Sequence, residues 1–273
     1  MHELVIEAGR GERQYWRDLW RYRELFLFLA WRDLLVRYKQ TIVGASWALV
    51  RPLLTMAILT LVFGKFAKMQ ADGNVPYPLF VFSGLLPWQF FAAAVSECGN
   101  SLVGNAALIS KVYFPRMAIP ASSVITSLVD LLLSGLLLIG LMFWYEFQPD
   151  SAVLLLPLLL LAVFALALGM GLWIAALVVR YRDFRFILVF IIQFGLYISP
   201  VGFTSEVVPE QWRLLYSLNP MVGIIDGFRW SLLAGASRMF WPGFFASLTV
   251  TALLLATGIW YFRRTERTFA DVI

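Results

Sequence analysis

The feature that most constrains this chain is a series of long stretches without a charged side chain. Residues 73–96, 151–179, 186–205 and 239–262 contain no Asp, Glu, Lys or Arg, and residues 117–145 contain one, Asp130. A helix needs about 20 mostly apolar residues to cross the hydrocarbon core of a bilayer. Several such stretches in one chain leave few folds other than a bundle of membrane helices. Composition agrees: 60% of residues are hydrophobic and 14% charged, against roughly 25% charged in soluble domains. Too little polar surface exists to cover a globule, so lipid is the expected partner of the outer surface.

With the segment between Lys39 and Lys65, interrupted only by Arg51, the runs predict six spans at about 45–66, 77–96, 118–145, 152–179, 186–204 and 240–262. The expected fold class is an all-α integral membrane protein, one domain over 1–273, with no internal repeat and no linker. Arg51 lies inside the first span and can snorkel to the headgroups, where Trp47 also suits an interface. Six spans put both ends on one side. Five of the 22 lysines and arginines (Lys65, Lys68, Arg213, Arg229, Arg238) then fall outside and the other 17 inside. That bias predicts cytoplasmic termini. Residues 1–39 carry dispersed arginines where a secretory signal would need an apolar core.

Two segments are neither spans nor ordinary loops. In 15–39, Leu27, Ala30, Trp31, Leu34, Leu35 and Tyr38 follow helical spacing, although Leu29 blurs the stripe. This reads as an amphipathic helix in the membrane interface, with packing on a soluble neighbour as the alternative. Residues 205–238 hold too many charges for a span and are broken at Asn219-Pro220. They predict two short helices, about 209–218 and 220–234, dipping into the outer leaflet, or else a plain external loop.

The chemistry available is narrow. One cysteine, Cys98, excludes an internal disulfide, and one histidine, His2, excludes a histidine-based metal site. No Gly-x-x-x-x-Gly-Lys-Ser/Thr phosphate loop is present, nor Gly-x-Ser-x-Gly, nor His-Glu-x-x-His. An intramembrane transferase would need clustered His, Asp or Glu. An ion-driven carrier usually keeps several ionisable groups inside its spans, and here Asp130 stands alone. The dispersed basic residues form no nucleic-acid stripe. A passive channel remains open as a different class.

Three constellations stand out. The stretch Asn105–Arg116, NAALISKVYFPR, is a short apolar helix expected to present Leu108, Ile109, Val112 and Tyr113 to the cytoplasm, where exposed apolar surface suggests a protein partner; an ordinary connecting turn is the plain alternative. Asp130 lies near the middle of the third span, with Ser123, Ser127 and Ser134 on the same helix face and Thr126 beside it. Its carboxylate is expected to face protein or water, in a packing network or on a polar channel wall, because lipid exposure costs about 2.5–3.5 kcal/mol. Phe186, Phe190, Phe194 and Tyr197 form one aromatic stripe in the fifth span, with Gln193 near it. Ring faces stack on pyranoses and an amide meets hydroxyls, as a sugar path requires. The same spacing also suits packing against lipid or helices. Trp47 and Phe63 on the first span are weaker companions.

The segments RYKQTIVGASWALVRPLL (37–54), PYPLFVFSGLLPWQFF (76–91), NAALISKVYFPR (105–116), VRYRDFR (179–185), SPVGF (199–203) and LNPMVGIIDGFRW (218–230) resemble the membrane subunit of polysaccharide-exporting ABC transporters of the Wzm/TagG type. The resemblance covers nearly the whole chain in order but does not select the glycan: O-antigen, teichoic acid and other lipid-linked glycans use similar permeases, and a lipid or drug is a rival cargo. It implies a six-span half-transporter that works as a homodimer, with no cofactor of its own and with ATP and Mg held by a separate ATPase subunit. It implies that 105–116 is the coupling helix, with Asn105, Leu108, Ile109, Lys111, Tyr113, Phe114 and Arg116 at that contact. It implies that 15–39 is an interfacial helix and that 209–218 and 220–234 are gate helices, carrying Pro209, Trp212, Asn219, Pro220 and Arg229. Spans one and five would line the channel.

Overall fold

The computed structural model describes residues 12–39, 44–71, 73, 75–112, 114–235 and 237–269, and these are helical and connecting segments with no strand among them. The helices in order are α1 (Glu12–Arg21), α2 (Arg23–Lys39), α3 (Gly44–Leu59), α4 (Tyr77–Gly104), α5 (Ala106–Lys111), α6 (Ala118–Trp144), α7 (Leu156–Arg180), α8 (Phe184–Ile198), α9 (Glu210–Tyr216), α10 (Pro220–Leu232) and α11 (Trp241–Thr265). A π-helical turn, Thr60–Phe66, continues α3, and a 3-10 turn, Ser151–Leu155, leads into α7. Five helices are long and apolar enough to cross a membrane: Ser46–Phe66, Tyr77–Gly104, Ala118–Trp144, Ser151–Arg180 and Trp241–Thr268.

α4 is the centre of the bundle. Leu79, Phe80, Val81, Phe82, Leu85, Phe90, Ala94, Val95, Cys98 and Leu102 are all nearly or fully buried, on every side of the helix. α3, α6, α7, α8 and α10 all pack against it. A run apolar all round and free of charge can be hidden from lipid as well as placed in it; α4 is hidden. α3 and α8 are the reverse. α8 buries only Leu188 fully, with Ile192 and Leu196 partly buried on the same side, and leaves its other faces open.

Two expectations need correction. Residues 15–39 are not one helix: the chain breaks at Tyr22 between α1 and α2. The residue that blurred the apolar stripe, Leu29, is buried with Ala30 against Leu102, Ile109, Met117 and Phe262, whereas Leu27, Trp31 and Leu35 are exposed with Phe28 and Val36. α2 therefore has two apolar faces, one docked on the bundle and one open. The fifth run does not stay helical to 204. α8 stops at Ile198 after 15 residues, about 22 Å at 1.5 Å per residue, against roughly 30 Å of hydrocarbon. Ser199-Pro200 ends it: proline disfavours helical backbone at the preceding residue and has no N–H to give.

α7 and α11 meet through glycine. A Cβ on Gly169 would lie 2.7 Å from the backbone of Leu255, and one on Gly258 would run into the carbonyl of Gly169. The two backbones touch, as small residues allow between membrane helices. Gly169→Val should therefore destabilise the purified protein in detergent by about 1–3 kcal/mol, read as a lower unfolding midpoint. Gly140→Ala, where an added Cβ meets nothing within 4 Å, should leave that midpoint unchanged.

Candidate functional site

The non-helical turn 199–203 after α8 is the first part of the site. Its polar groups are met by side chains from four directions. Arg229 on α10 donates Nη1 to the carbonyl of Phe203 (2.8 Å) and Nη2 to that of Val201 (2.6 Å). The Tyr77 hydroxyl at the start of α4 donates to Gly202 O. Tyr216 on α9 donates to Ile198 O at 2.7 Å, and Asn219 Nδ2 donates to Ser199 Oγ at 3.1 Å. Burial pushes the Tyr216 hydroxyl pKa up, so it stays a donor. Arg229 is completely buried and lies 3.8 Å over the Phe80 ring, with Gly84 leaving room for the guanidinium. A cation over a desolvated ring is worth about 2 kcal/mol, which adds to the two charge-assisted hydrogen bonds.

The two short helices that supply these groups start on proline signals. Pro209 precedes α9, and Asn219 caps α10 by accepting from Met221 N at 3.1 Å, with Pro220 as its first helical residue. α9 starts at Glu210 and ends at Tyr216, two residues before the expected 218, and its Trp212, Leu214 and Leu215 are exposed. α10 is buried along nearly its whole length.

The second part is the open face of α8. Phe186, Phe190, Phe194 and Tyr197 are each more than half exposed, Gln193 is exposed beside them, and the Phe190 and Phe194 rings are stacked at 6.0 Å with a 13° interplanar angle. Trp47 on α3 is also exposed. Phe63 differs: it sits in the π-helical turn, 6.2 Å from the Phe203 ring and against Gly202. It braces the 199–203 turn from the α3 side, and it is only partly exposed.

The third part is at the opposite end of the bundle. α5 is a single short helix whose inner face is docked. Ile109 is buried with Leu29, Leu102, Phe114 and Met117, and Phe114 is buried as well. Ile109 and Phe114 therefore anchor α5 to its own chain instead of facing outward. Leu108 is partly buried, and Ser110, Lys111 and Val112 form the exposed edge. Tyr113 lies outside the described residues. Asn105 holds the α4–α5 corner, accepting from Arg32 Nη2 at 2.7 Å and donating to Ser101 O at 2.9 Å. Arg116 donates to the carbonyl of Glu266, and Tyr15 on α1 donates to the Glu266 carboxylate at 3.0 Å. α1, α2, α5 and the end of α11 are thus tied together.

Asp130 does not join the serines of its helix. Ser127 donates to its own backbone at Ser123 O, 3.2 Å away, and Ser134 is buried on α6. Asp130 instead pairs with Arg37 of α2 at 2.7 Å and accepts from the Tyr38 hydroxyl, while Arg37 reaches Glu97 of α4 at 2.9 Å. Burial, the hydrogen bond to Asp130 and that carboxylate's charge push the Tyr38 hydroxyl up to about 12. The Asp130 carboxylate thus meets two side chains of α2, and Arg37 links it to a second carboxylate, Glu97, on α4. Sequence reasoning passed over Arg37, Glu97, Tyr77 and Phe80. The only available signal was that Glu97 ends a charge-free run and Arg37 and Tyr38 end an amphipathic one.

No group of three or more His, Cys, Asp or Glu that could hold a metal occurs among the described residues. The profile of the family described as "ABC-2 type transporter" matches residues 24–233. The chain is 30% identical over 216 residues to an O-antigen export system permease protein RfbA of Myxococcus xanthus, covering 78% of this chain and 82% of that one. It is 26% identical over 252 residues to a Klebsiella pneumoniae protein of the same name, covering 92% and 95%. It is 26% identical over 209 residues to the capsule polysaccharide export inner-membrane protein CtrC of Neisseria meningitidis, covering 74% and 76%. With a family profile spanning most of its length and relatives matched nearly end to end, this multi-pass membrane chain belongs to the ABC-2 type transporter family, as a transport subunit.

Proposed function

We propose that this chain is the membrane permease of an ATP-driven exporter of lipid-linked polysaccharide, O-antigen being the model cargo. The similar proteins named for O-antigen and capsule export support the cargo class. The observation that carries the reading on this chain is the open stripe of four aromatic rings and Gln193 on α8. Aromatic faces without fixed charge hold sugar rings weakly enough for a polymer to slide. Exporters of teichoic acid, another lipid or a drug share the family; the stripe favours sugar.

In this reading the open faces of α3 and α8 meet those of a second copy, and the homodimer encloses the path. Trp47 then flanks it on α3, while Phe63 supports the turn at its outer end. α8 with the 199–203 turn forms a sixth, shortened crossing, so that both termini lie in the cytoplasm, consistent with the excess of basic residues on that side. The turn and the helices α9 and α10 lie toward the outer leaflet as the gate, with non-helical backbone at depth because protein surrounds it. The inner face of the bundle binds a separate ABC ATPase, which holds ATP and Mg. α5 is the coupling helix, and its contact is the exposed edge at Lys111 and Val112 with Leu108 behind it. α2 lies in the inner interface with Leu27, Phe28, Trp31 and Leu35 toward lipid.

Two experiments test this. Phe190→Ala with Phe194→Ala should cut polymer at the cell surface about tenfold or more while the purified complex keeps its ATPase activity; normal export from the double variant would remove the path from α8. Val112→Asp should weaken association with the ATPase about tenfold or more, as loss of a central apolar contact does, with membrane insertion unchanged. Ile109→Asp, by contrast, should lower the yield of folded protein, because Ile109 is core. Unaltered complex formation in the Val112 variant would place the ATPase contact elsewhere.

A further inference from the structure

The cleft between the basic ends of α7 and α11 is not used by any of the parts described above. It is a cavity of about 280 Å³ lined by Ala176, Val179, Arg180, Thr265, Thr268 and Phe269. Its floor is apolar, with Ala176, Val179 and Phe269 buried. About one turn further along the same two helices, Trp173 and Tyr261 are stacked at 4.2 Å with a 14° interplanar angle, and Trp173 Nε1 donates to Thr257 Oγ1 at 3.2 Å. Trp173, Ala176 and Arg180 fall on one face of α7, and Tyr261 and Thr265 on one face of α11, with Thr268 in the 3-10 turn that follows it. The cleft thus joins an apolar floor to a cationic mouth.

The mouth has an unusual division of donors and acceptors. Arg180 and Arg264 are exposed, and Arg264 lies in the last turn of α11 next to Thr265, which lines the cleft. No carboxylate pairs with either arginine among the described residues; Arg180 lies over the Tyr181 ring and Arg264 over the Trp260 ring. Both threonine hydroxyls give their proton to the helix backbone, Thr265 to Tyr261 O at 2.6 Å and Thr268 to Thr265 O at 2.8 Å. What they have left is acceptor capacity. The cleft therefore offers cations for an anion, lone pairs for a hydroxyl donor and an apolar floor for a chain.

We propose that this cleft binds one anionic glycerophospholipid with a hydroxylated headgroup, its phosphate on Arg180 and Arg264, its headgroup hydroxyls on Thr265 and Thr268, and an acyl chain over the apolar floor toward Trp173 and Tyr261. Basic pockets between membrane helices are a recurring place for such headgroups. The site lies between the basic ends of α7 and α11, away from the open faces of α3 and α8, so it is a resident lipid and not cargo. It does not depend on which glycan is exported.

The test uses the purified full-length protein in neutral detergent, titrated with phosphatidylglycerol or with phosphatidylcholine of the same acyl chains and read by native mass spectrometry. One phosphatidylglycerol per chain should be retained at least tenfold more tightly than phosphatidylcholine. Arg180→Ala with Arg264→Ala should lose about tenfold of that retention, and Thr268→Phe, which fills the exposed mouth, should lose it too. Lys65→Ala with Lys68→Ala, which removes equal charge at the other end, should not. Inorganic phosphate at millimolar concentration should fail to displace the lipid. Equal retention of the two lipids, retention unchanged in both cleft variants, or displacement by free phosphate would overturn the proposal.

Discussion

The arrangement depends on one buried cation. A membrane-embedded backbone cannot leave its carbonyls unbonded, since each costs several kcal/mol away from water. α8 breaks at Ser199-Pro200, and the five residues that follow have no helix to satisfy them. Among the described residues, Arg229 alone meets two of their carbonyls, and its guanidinium suits that task because it presents a rigid fork of donors. The cost of burying its charge is offset by those bonds, by the Phe80 face beneath it and by the space that Gly84 leaves. Removing it would leave the carbonyls of Val201 and Phe203 without their donor.

From that point the rest of the bundle sorts into fixed and open parts. α4 supplies Tyr77 and Phe80 to the clamp, and it is buried along its length because it is the post on which the other helices lean. α3 and α8 lean on it from the outside and keep their remaining faces free. At the basic end the same post contributes Glu97 to Arg37, so α2 is joined to α4 and α6 by charge and to α5 by Leu29 and Ile109. A displacement at α5 thus bears directly on α2, α4 and α11, whereas α8 is reached through α4, α7 and the turn. Under the proposed function that is the route by which a partner's motion would reach the sugar path.

Much of this was legible in the sequence, for identifiable reasons. Runs with no charge or a single one located five of the spans, because hydrocarbon tolerates little else. Proline and asparagine marked α9 and α10, because Asn219-Pro220 both ends and caps. The errors arose where a tertiary contact overrode a local pattern. Ile109 read as a surface residue and Leu29 as a break in the apolar stripe, but both are buried in one cluster. Asp130 read as a neighbour of the serines on its own helix face, while its partners, Arg37 and Tyr38, lie more than ninety residues away in sequence. The end of α8 was overrun because charge counting is blind to Ser199-Pro200. The depth of Arg229 was hidden because a charged residue in a charged segment reads as exposed. Nothing in the periodicity separates α4 from a lipid-facing span; only the absence of any polar face on either kind of helix is visible.

The most direct test of this account is amide hydrogen exchange over the peptide spanning 196–204 in the purified protein. With the clamp as described, Arg229→Met should raise exchange in that peptide at least tenfold, and Arg229→Lys, a point charge in place of a fork, should recover only part of the protection. Exchange within α7 and α11 should not change. Unaltered protection at 196–204 in the methionine variant, with the rest of the bundle intact, would contradict the claim that this one guanidinium holds the broken end of α8.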